Sequence, residues 1–147
     1  MAAVYVIGDE NGRIEAELTA RLGSLEAFHL SPALPEDSVI LLIAPGFSGF
    51  PSVSGISAAV CCGKCTELES PVPFLRCGMS ETDAFSFSSI GERIALAEIS
   101  REIITLTGSV IEKQELLLPL PEHIEPLAAL GIFASLLLLG YPPELLL

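Results

Sequence analysis

Residues 118–147, LPLPEHIEPLAALGIFASLLLLGYPPELLL, decide how the rest of the sequence is interpreted. From Leu127 to Leu139 this stretch is apolar apart from one serine. The run is shorter than the roughly 20 apolar residues that a membrane-spanning helix needs. The glycine and the two prolines that follow it end a helix, because proline cannot continue the hydrogen-bond ladder. The stretch therefore predicts a hydrophobic helix inside the domain, covered on more than one side because nearly every face is apolar.

The first half of the chain alternates apolar runs with turns. Continuous runs such as AVYVI and VILLI are typical of parallel strands buried on both faces. Between the first two runs, Ile14, Leu18 and Leu22 are spaced four apart and predict a helix over 13–23 that ends at Gly23. The predicted strands cover residues 3–7, 24–30, 38–45, 56–62 and 72–77.

After Gly78 the pattern changes. The segment DAFSFSSI alternates apolar residues with serines, which is typical of a strand buried on one face. Four such segments, 83–90, 93–100, 102–108 and 109–120, predict antiparallel hairpins with one turn at 107–109. The sequence thus predicts a single α/β domain over 1–147. A Rossmann-like part, 1–78, has a mostly parallel sheet with flanking helices, and 79–147 adds an antiparallel ribbon and the closing hydrophobic helix.

Charge excludes several classes of partner. The chain has nineteen acidic and seven basic residues, and its formal net charge is −12. Nucleic acids and anionic membrane surfaces are disfavoured, because no cluster of lysine or arginine is present to neutralise phosphates. The opening MAAVYVIGDENG lacks the basic leading region of a signal peptide. We therefore expect a cytoplasmic protein with no membrane and no nucleic-acid partner.

The order FLRCGMSETDAFSFSSI, RIALAEI and EKQELLLPLPEHIEPLAALGIFASLLLLGYPPELL, over residues 74–146, resembles a known family. It is similar to the second half of the central domain of Mur ligases and their folylpolyglutamate synthetase relatives. In that family a strand leads into an antiparallel ribbon, and a segment like "lPlpG.HN..NalAA" begins a helix. The resemblance implies the same order of elements in this chain.

The same comparison shows what this chain lacks. The family holds ATP with a glycine-rich loop ending in Gly-Lys-Ser/Thr, and no such loop is present here. His123 matches the histidine of the family's motif, but Ile124 and Leu127 stand where its two asparagines are expected. An apolar side chain cannot supply the hydrogen bonds of an amide. ATP-dependent ligation is therefore not expected, and the sequence indicates no cofactor.

The loop APGFSGFPSVSG follows the most strand-like segment of the chain. Open α/β sheets bind ligands at the carboxyl ends of their strands. Glycine permits close backbone approach and serine offers a hydroxyl, so this loop is a candidate ligand site, with a simple connection as the alternative. The candidate residues are Gly46, Ser48, Gly49, Ser52 and Ser54.

The cysteines offer a second candidate site. Cys62 and Cys65 form a C-x-x-C pair, with Cys61 beside it and Cys77 twelve residues after Cys65. Cys62, Cys65 and Cys77 are candidates for metal or redox chemistry, because two thiolates at this spacing can share zinc or form a redox pair. Buried structural thiols are the alternative. A disulfide framework is not expected in a cytoplasmic protein.

Two other motifs have simpler interpretations. The turn Gly8–Gly12 lies between a strand and a helix, where dinucleotide folds hold phosphates. It lacks the glycine fingerprint, and the carboxylates of Asp9 and Glu10 would repel a phosphate, so a tight acidic turn is predicted. His123 is predicted to be a capping or surface residue rather than a catalyst.

These observations favour a non-catalytic binding or scaffold module resembling a truncated Mur-ligase-like domain, linked to cell-wall or peptide-ligase machinery by resemblance alone. The terminal PPELLL and the apolar helix suggest unburied surface, so self-association into a homo-oligomer or a partner protein is expected. The alternative is a small thiol- or metal-dependent protein that uses the Cys62/Cys65 pair.

Overall fold

A computed structural model describes residues 3–27, 38–49, 55–65, 72–80 and 82–147. Seven strands in these ranges form one mixed sheet in the order β1-β2-β4-β6-β7-β8-β11. The strands of this sheet are β1 Ala3–Ile7, β2 Val39–Ile43, β4 Ala58–Cys61, β6 Phe74–Gly78, β7 Phe85–Ile90, β8 Ile94–Ile99 and β11 Gln114–Pro119. Each pair from β1 to β7 is parallel, and the two pairs that follow are antiparallel. The predicted α/β class with a mostly parallel sheet is confirmed.

The parallel strands are apolar on both faces, as their continuous runs predict. Strand β2 is VILLI, and its last four residues are buried. All four residues of β4, AAVC, are buried as well. Ile40 and Leu42 belong to a large core on one face of the sheet, whereas Leu41 and Ile43 belong to a smaller cluster on the other. Parallel sheets normally have both faces covered, which explains the absence of polar alternation in these strands.

Helix α1 is longer than the sequence pattern predicts. It spans Arg13–Ala27, so the strand predicted for 24–30 is wrong over 24–27, and residues 28–30 lie outside the described part of the chain. Gly23 is exposed and does not end the helix. Leu25 is buried in the same core as Ile14 and Leu18. Its burial outweighs the roughly 1 kcal/mol by which glycine disfavours a helix interior.

The ribbon of β7, β8 and β11 is interrupted by a small separate hairpin. This hairpin pairs β9, Ile103–Ile104, with β10, Val110–Ile111. The segment 109–120, predicted as one strand, is therefore divided between β10 and β11. The division falls at 112–113, where the Gln114 side-chain amide donates to the Glu112 carbonyl at 3.0 Å. Two short strands, β3 Ser48–Gly49 and β5 Lys64–Cys65, form another parallel pair.

Helix α2, Pro126–Leu138, packs across the sheet on the same side as α1 and contacts β2, β4, β6 and β7. Residues 128–138 of this helix are all buried. Its one polar member, Ser135, donates its hydroxyl to the Gly131 carbonyl at 2.8 Å. The β9–β10 hairpin is tied to the end of α2, because the Leu106 amide donates to the Leu138 carbonyl at 2.8 Å.

Residues 128–138 of α2 are buried within the chain, so they do not form the exposed apolar surface that the sequence suggested for this helix. Self-association stays a prediction. The terminal segment is only partly packed: Leu146 is buried, whereas Leu145 and Leu147 remain exposed. No helix in the described ranges combines the length and the apolar content that crossing a bilayer would require.

Candidate functional site

A groove opens at the carboxyl ends of β1 and β2. Three segments converge there: the turn between β1 and α1, the turn after β2, and the chain that enters α2. The first cavity of this groove has a volume of about 320 Å³ and is lined by Gly8, Asp9, Glu10, Asn11, Arg13, Ile14, Ala44, Pro45, Gly46, His123, Ile124, Glu125 and Ala128. Parallel strands end here beside the first turns of both helices, the usual position of ligand sites in open α/β sheets.

A second cavity of about 480 Å³ adjoins the first and shares Arg13, His123 and Ile124 with it. Its remaining lining residues come from α1 and from the segment before α2: Ala16, Glu17, Pro121 and Glu122. The two cavities together are called the strand-end groove below. It runs between the first turns of α1 and the segment 121–125.

Close contacts of the backbone shape the mouth of the groove. Gly8 has a φ of 80°, and a Cβ at this position would lie 2.7 Å from the Cβ of Phe47. Only glycine fits here, because both the φ value and the close approach exclude a side chain. The turn after β2 is held from both sides: the Ala44 amide donates to the Ile7 carbonyl, and the Lys64 amide donates to the Phe47 carbonyl.

Asp9 serves the fold at this turn. Its carboxylate accepts a hydrogen bond from the Glu15 amide at 3.1 Å, in the first turn of α1. A carboxylate in this position satisfies an unpaired helix amide and opposes the positive end of the helix dipole. The N-terminus of α1 therefore already has an anion of its own. This arrangement agrees with the tight acidic turn predicted at Gly8–Gly12.

The groove is acidic on a partly apolar floor. Five carboxylates line its two cavities, against one guanidinium, that of Arg13: they belong to Asp9, Glu10, Glu17, Glu122 and Glu125. Ile14, Ile124 and Ala128 are buried beneath them. Phosphate is disfavoured at such a site by like-charge repulsion, whereas ammonium and guanidinium groups are favoured.

His123 lies in the groove as an exposed residue that lines both cavities. It does not cap α2, because the N-cap position is Glu125, which makes no side-chain capping bond, and Pro126 begins the helix. Proline suits that first position, where its missing N–H would have no partner within the helix. Ile124, the residue after His123 along the chain, is buried.

Only one of the predicted loop residues that the structure describes lines the groove. Gly46 lines the first cavity. Ser48 and Gly49 instead form β3, pair with β5 and are exposed. Ser52 and Ser54 lie outside the described residues. Sequence reasoning missed the acidic side of the groove, although Asp9 and Glu10 after a buried strand were a usable signal.

The cysteines pair differently from the C-x-x-C motif. Cys61 is opposite Arg76 in the β4–β6 register, so Cys62 lies alongside Cys77 on the neighbouring strand. Both are buried free thiols, and Cys62 is close enough to raise the pKa of Cys77. The Cys65 side chain is outside the described part of the chain. The C-x-x-C spacing therefore does not identify the partner of Cys62.

Burial raises the pKa of Cys77 well above its usual range, and the hydrogen bond and charge of Cys62, together with the charge of Asp83, raise that pKa further. A thiol in such surroundings stays protonated and unreactive at neutral pH. Cys61 is disulfide-bonded, contrary to the expectation that no disulfide would form. Among the described residues, no group of three or more histidine, cysteine, aspartate or glutamate side chains is arranged to hold a metal ion.

No protein-family model, curated protein or solved structure matches this chain. The function therefore has to be inferred from the residues and the geometry of the chain itself.

Proposed function

We propose that this chain is a non-catalytic binding module whose ligand occupies the strand-end groove. The observation that carries the proposal is the convergence of three segments, distant in sequence, around one cavity at the carboxyl ends of β1 and β2. The groove offers a shaped, partly apolar floor with polar groups at its rim, which is the usual character of a small-molecule site. The described residues that line the groove include no cysteine, and the buried Cys77 thiol, which lies elsewhere, stays protonated.

The ligand of this module carries one or more positive charges. Five carboxylates against one guanidinium make the groove favourable for an amine and unfavourable for a phosphate. The Asp9 carboxylate accepts a hydrogen bond from the first turn of α1, the position that a phosphate would otherwise favour. This charge pattern also supports the inference from sequence that nucleotide chemistry is absent.

A place beside cell-wall or peptide-ligase machinery is the part of the proposal that rests on the Mur ligase resemblance. In its support, a parallel strand, an antiparallel ribbon and a closing helix follow one another in β6, the β7–β8–β11 ribbon and α2. The proposed module keeps this framework and uses the neighbouring strand ends for binding instead of for ATP hydrolysis.

The test is a calorimetric titration of the whole chain with spermidine, lysine and arginine, set beside ATP with magnesium. We expect at least one amine to bind and ATP to give no heat of binding. The double variant Glu10→Gln/Glu125→Gln should weaken amine binding roughly tenfold, because hydrogen bonds between charged groups contribute about 1.5 kcal/mol or more.

Glu102→Gln/Glu144→Gln is the matched control, since it removes the same charge from exposed positions that do not line the groove. Equal losses of amine affinity in both double variants would mean that amine binding depends only on the net charge of the chain. ATP binding, or turnover of ATP, would contradict the proposed function outright.

The contact between Cys62 and Cys77 favours a second candidate function, a thiol-dependent protein. Cys62 and Cys77 lie together in the core with α2, whereas the Cys65 side chain of the predicted Cys62/Cys65 pair lies outside the described residues. Thiol titration of the native chain with and without 6 M urea (roughly a denaturing dose) separates the alternatives. Rapid native reaction of two thiols, or stoichiometric zinc in the purified protein, would favour this second function over the first.

A further inference from the structure

In the antiparallel ribbon, Ser86 of β7 lies opposite Glu98 and is buried. Among the described residues, the β8–β11 part of the ribbon contributes side chains to an apolar core from one face only. Its inner face carries Ala95, Ala97 and Leu118, which are buried in the core beneath α2. The opposite face belongs to neither apolar core of the described residues. It is called the outer ribbon face here and consists of Ile94, Leu96, Glu98, Glu115, Leu117 and Pro119.

The register arranges these six side chains as three cross-strand pairs. Ile94 faces Pro119, Leu96 faces Leu117, and Glu98 faces Glu115. The Leu120 amide donates to the carbonyl of Arg93, which lies opposite it, so these two residues form a hydrogen-bonded pair. Hydrogen-bonded and non-hydrogen-bonded pairs alternate along antiparallel strands, so the pairs 94/119, 96/117 and 98/115 are non-hydrogen-bonded. All three outer pairs are therefore of the narrow kind, with their Cα atoms only about 4.5 Å apart.

The acidic pair is unfavourable as it stands. Like charges directly opposite each other destabilise an antiparallel pair of strands. The Glu115 carboxylate accepts a bond from the Ser88 hydroxyl at 3.4 Å, which supplies no charge. Within the described ranges, no lysine or arginine forms an ion pair with Glu98 or Glu115. A cation brought from outside would relieve this repulsion.

The two apolar pairs lie next to the acidic one. Leu117 is 56% exposed and Ile94 is 47% exposed, which leaves apolar surface in water beside two carboxylates that have no ion-pair partner among the described residues. Pro119 has no N–H to offer along the outward edge of β11, so addition of another strand to that edge would lose a hydrogen bond. The face, rather than the edge, is the more favourable surface for a partner.

We propose that the outer ribbon face binds a segment of a different protein that carries a lysine or arginine beside apolar side chains. Alternate residues of an extended segment are about 6.8 Å apart, which is also the separation of successive pairs along β11. A segment lying along the ribbon thus brings two apolar side chains to the Ile94 and Leu96 pairs and one cation to the Glu98 pair. This surface is separate from the strand-end groove, and the proposal does not depend on the function of that groove.

A second copy of this chain does not fit the same face. Each copy has a formal net charge of −12 and would bring its own acidic pair to the contact. The partner is therefore basic where this face is acidic, and charge complementarity selects it over self-association.

The test uses a fluorescent peptide of sequence KSLSLS, with ESLSLS as its charge-reversed control, and fluorescence anisotropy at low and high salt. We expect the lysine peptide to bind the whole chain and the glutamate peptide not to bind. The variant Glu98→Gln/Glu115→Gln should lower the affinity at least tenfold, and Leu117→Ser should lower it severalfold. Added salt should weaken binding to the original chain and have little effect on the double variant.

Two matched controls locate the binding. Glu102→Gln/Glu112→Gln removes the same charge from exposed residues outside the face, and Ile104→Ser removes an apolar side chain that is 67% exposed elsewhere. Both controls should bind the lysine peptide as the original chain does. The proposal is overturned if no peptide binds, if both sets of variants lose affinity equally, or if sedimentation shows a dimer that Leu117→Ser dissociates.

Discussion

The parallel strands and the antiparallel ribbon share one sheet and one covering helix, yet they are buried to different extents. Strand β4 is buried on both faces. Strand β11 alternates between buried Leu116 and Leu118 and their exposed neighbours. Helix α2 packs on one face of both regions, and among the described residues a second apolar cluster on the opposite face is formed by the parallel strands and the residues flanking them. Continuous and alternating patterns thus report the number of covered faces.

This comparison separates the roles of the two regions. The parallel strands β2 and β4 bury side chains on both faces, and the carboxyl ends of β1 and β2 present the strand-end groove. The outer ribbon face is partly exposed and carries the facing pair Glu98 and Glu115. Substitutions in the shared core should therefore affect stability strongly, whereas substitutions on the outer ribbon face should affect association.

The largest expected effect is that of Phe133→Ala. Phe133 is fully buried in α2, in the core that both regions share. Removing its ring should lower the free energy of unfolding by about 3–5 kcal/mol, measured by urea denaturation. Leu117→Ala, on the outer ribbon face, should change it by no more than about 0.5 kcal/mol. Similar losses in the two variants would show that the outer face is covered after all.

The next effect concerns the contact between α2 and the parallel strands. A Cβ on Gly131 would lie 2.5 Å from the Cys62 sulfur and 3.0 Å from a Leu42 methyl carbon. Gly131→Ala should therefore destabilise the chain by about 1–2 kcal/mol. The cost of overpacking is larger than the roughly 1 kcal/mol by which alanine is favoured over glycine in a helix. Urea denaturation of the variant measures the change.

The same substitution should cost less when the closer contact is removed. In a Cys62→Ala background, Gly131→Ala should destabilise the chain by less than in the original chain, since the helical preference for alanine is then opposed only by the Leu42 methyl carbon at 3.0 Å. A double-mutant cycle over these two positions gives the coupling directly. A coupling near zero would mean that α2 does not rest on Cys62 as described.

A third effect depends on pH. The pKa of Cys77 is raised by burial in the folded chain, so the folded state keeps a proton that the unfolded state loses above a pKa of about 8.5. The stability contributed by the protonated thiol is complete below that pH. Above the unfolded-state pKa this stability falls by about 1.4 kcal/mol per pH unit, until the pH reaches the folded-state pKa. Urea denaturation between pH 7 and pH 10 (roughly the window that these pKa values define) checks the slope.

Cys77→Ala supplies the comparison for this titration. The variant should show a shallower decline with pH than the original chain, although it is less stable at neutral pH because a buried side chain has been shortened. Parallel curves for the two proteins would contradict the assignment of the slope to Cys77.

Local patterns predicted most strands of the sheet and helix α2. Strands β1, β2, β4 and β6 and helix α2 all fall within a few residues of their predicted positions, because an apolar run of strand length marks a strand even where some positions, such as Tyr5 and Arg76, are exposed. The second half of α1 was not predicted, since Gly23 is a helix stop by propensity and only the packing of Leu25 overrides it. The separation of β10 from β11 likewise depends on tertiary pairing.

The sites were less accessible to sequence reasoning, because they depend on the order of strands in the sheet. Cys62 contacts Cys77 since β4 and β6 are neighbours, a fact that the C-x-x-C spacing does not contain. The groove joins residues 8–14, 44–46 and 123–128, three segments that share no local pattern. Gly46 was predicted because the sequence shows where a strand ends. The residues that face Gly46 across the groove could not be identified from the sequence.

The smallest expected effect tests the ribbon side of the comparison. Glu98→Gln removes one member of the facing acidic pair and should raise the free energy of unfolding by about 0.2–1 kcal/mol at low salt. The gain should shrink as salt is added, because screening already reduces the repulsion in the original chain. Glu102→Gln, exposed and outside the face, should show no comparable gain. A variant that becomes more stable while it loses the lysine peptide would show that this acidic pair is maintained for binding at the expense of stability. A loss of stability in Glu98→Gln would instead mean that the carboxylate has a favourable partner within the fold.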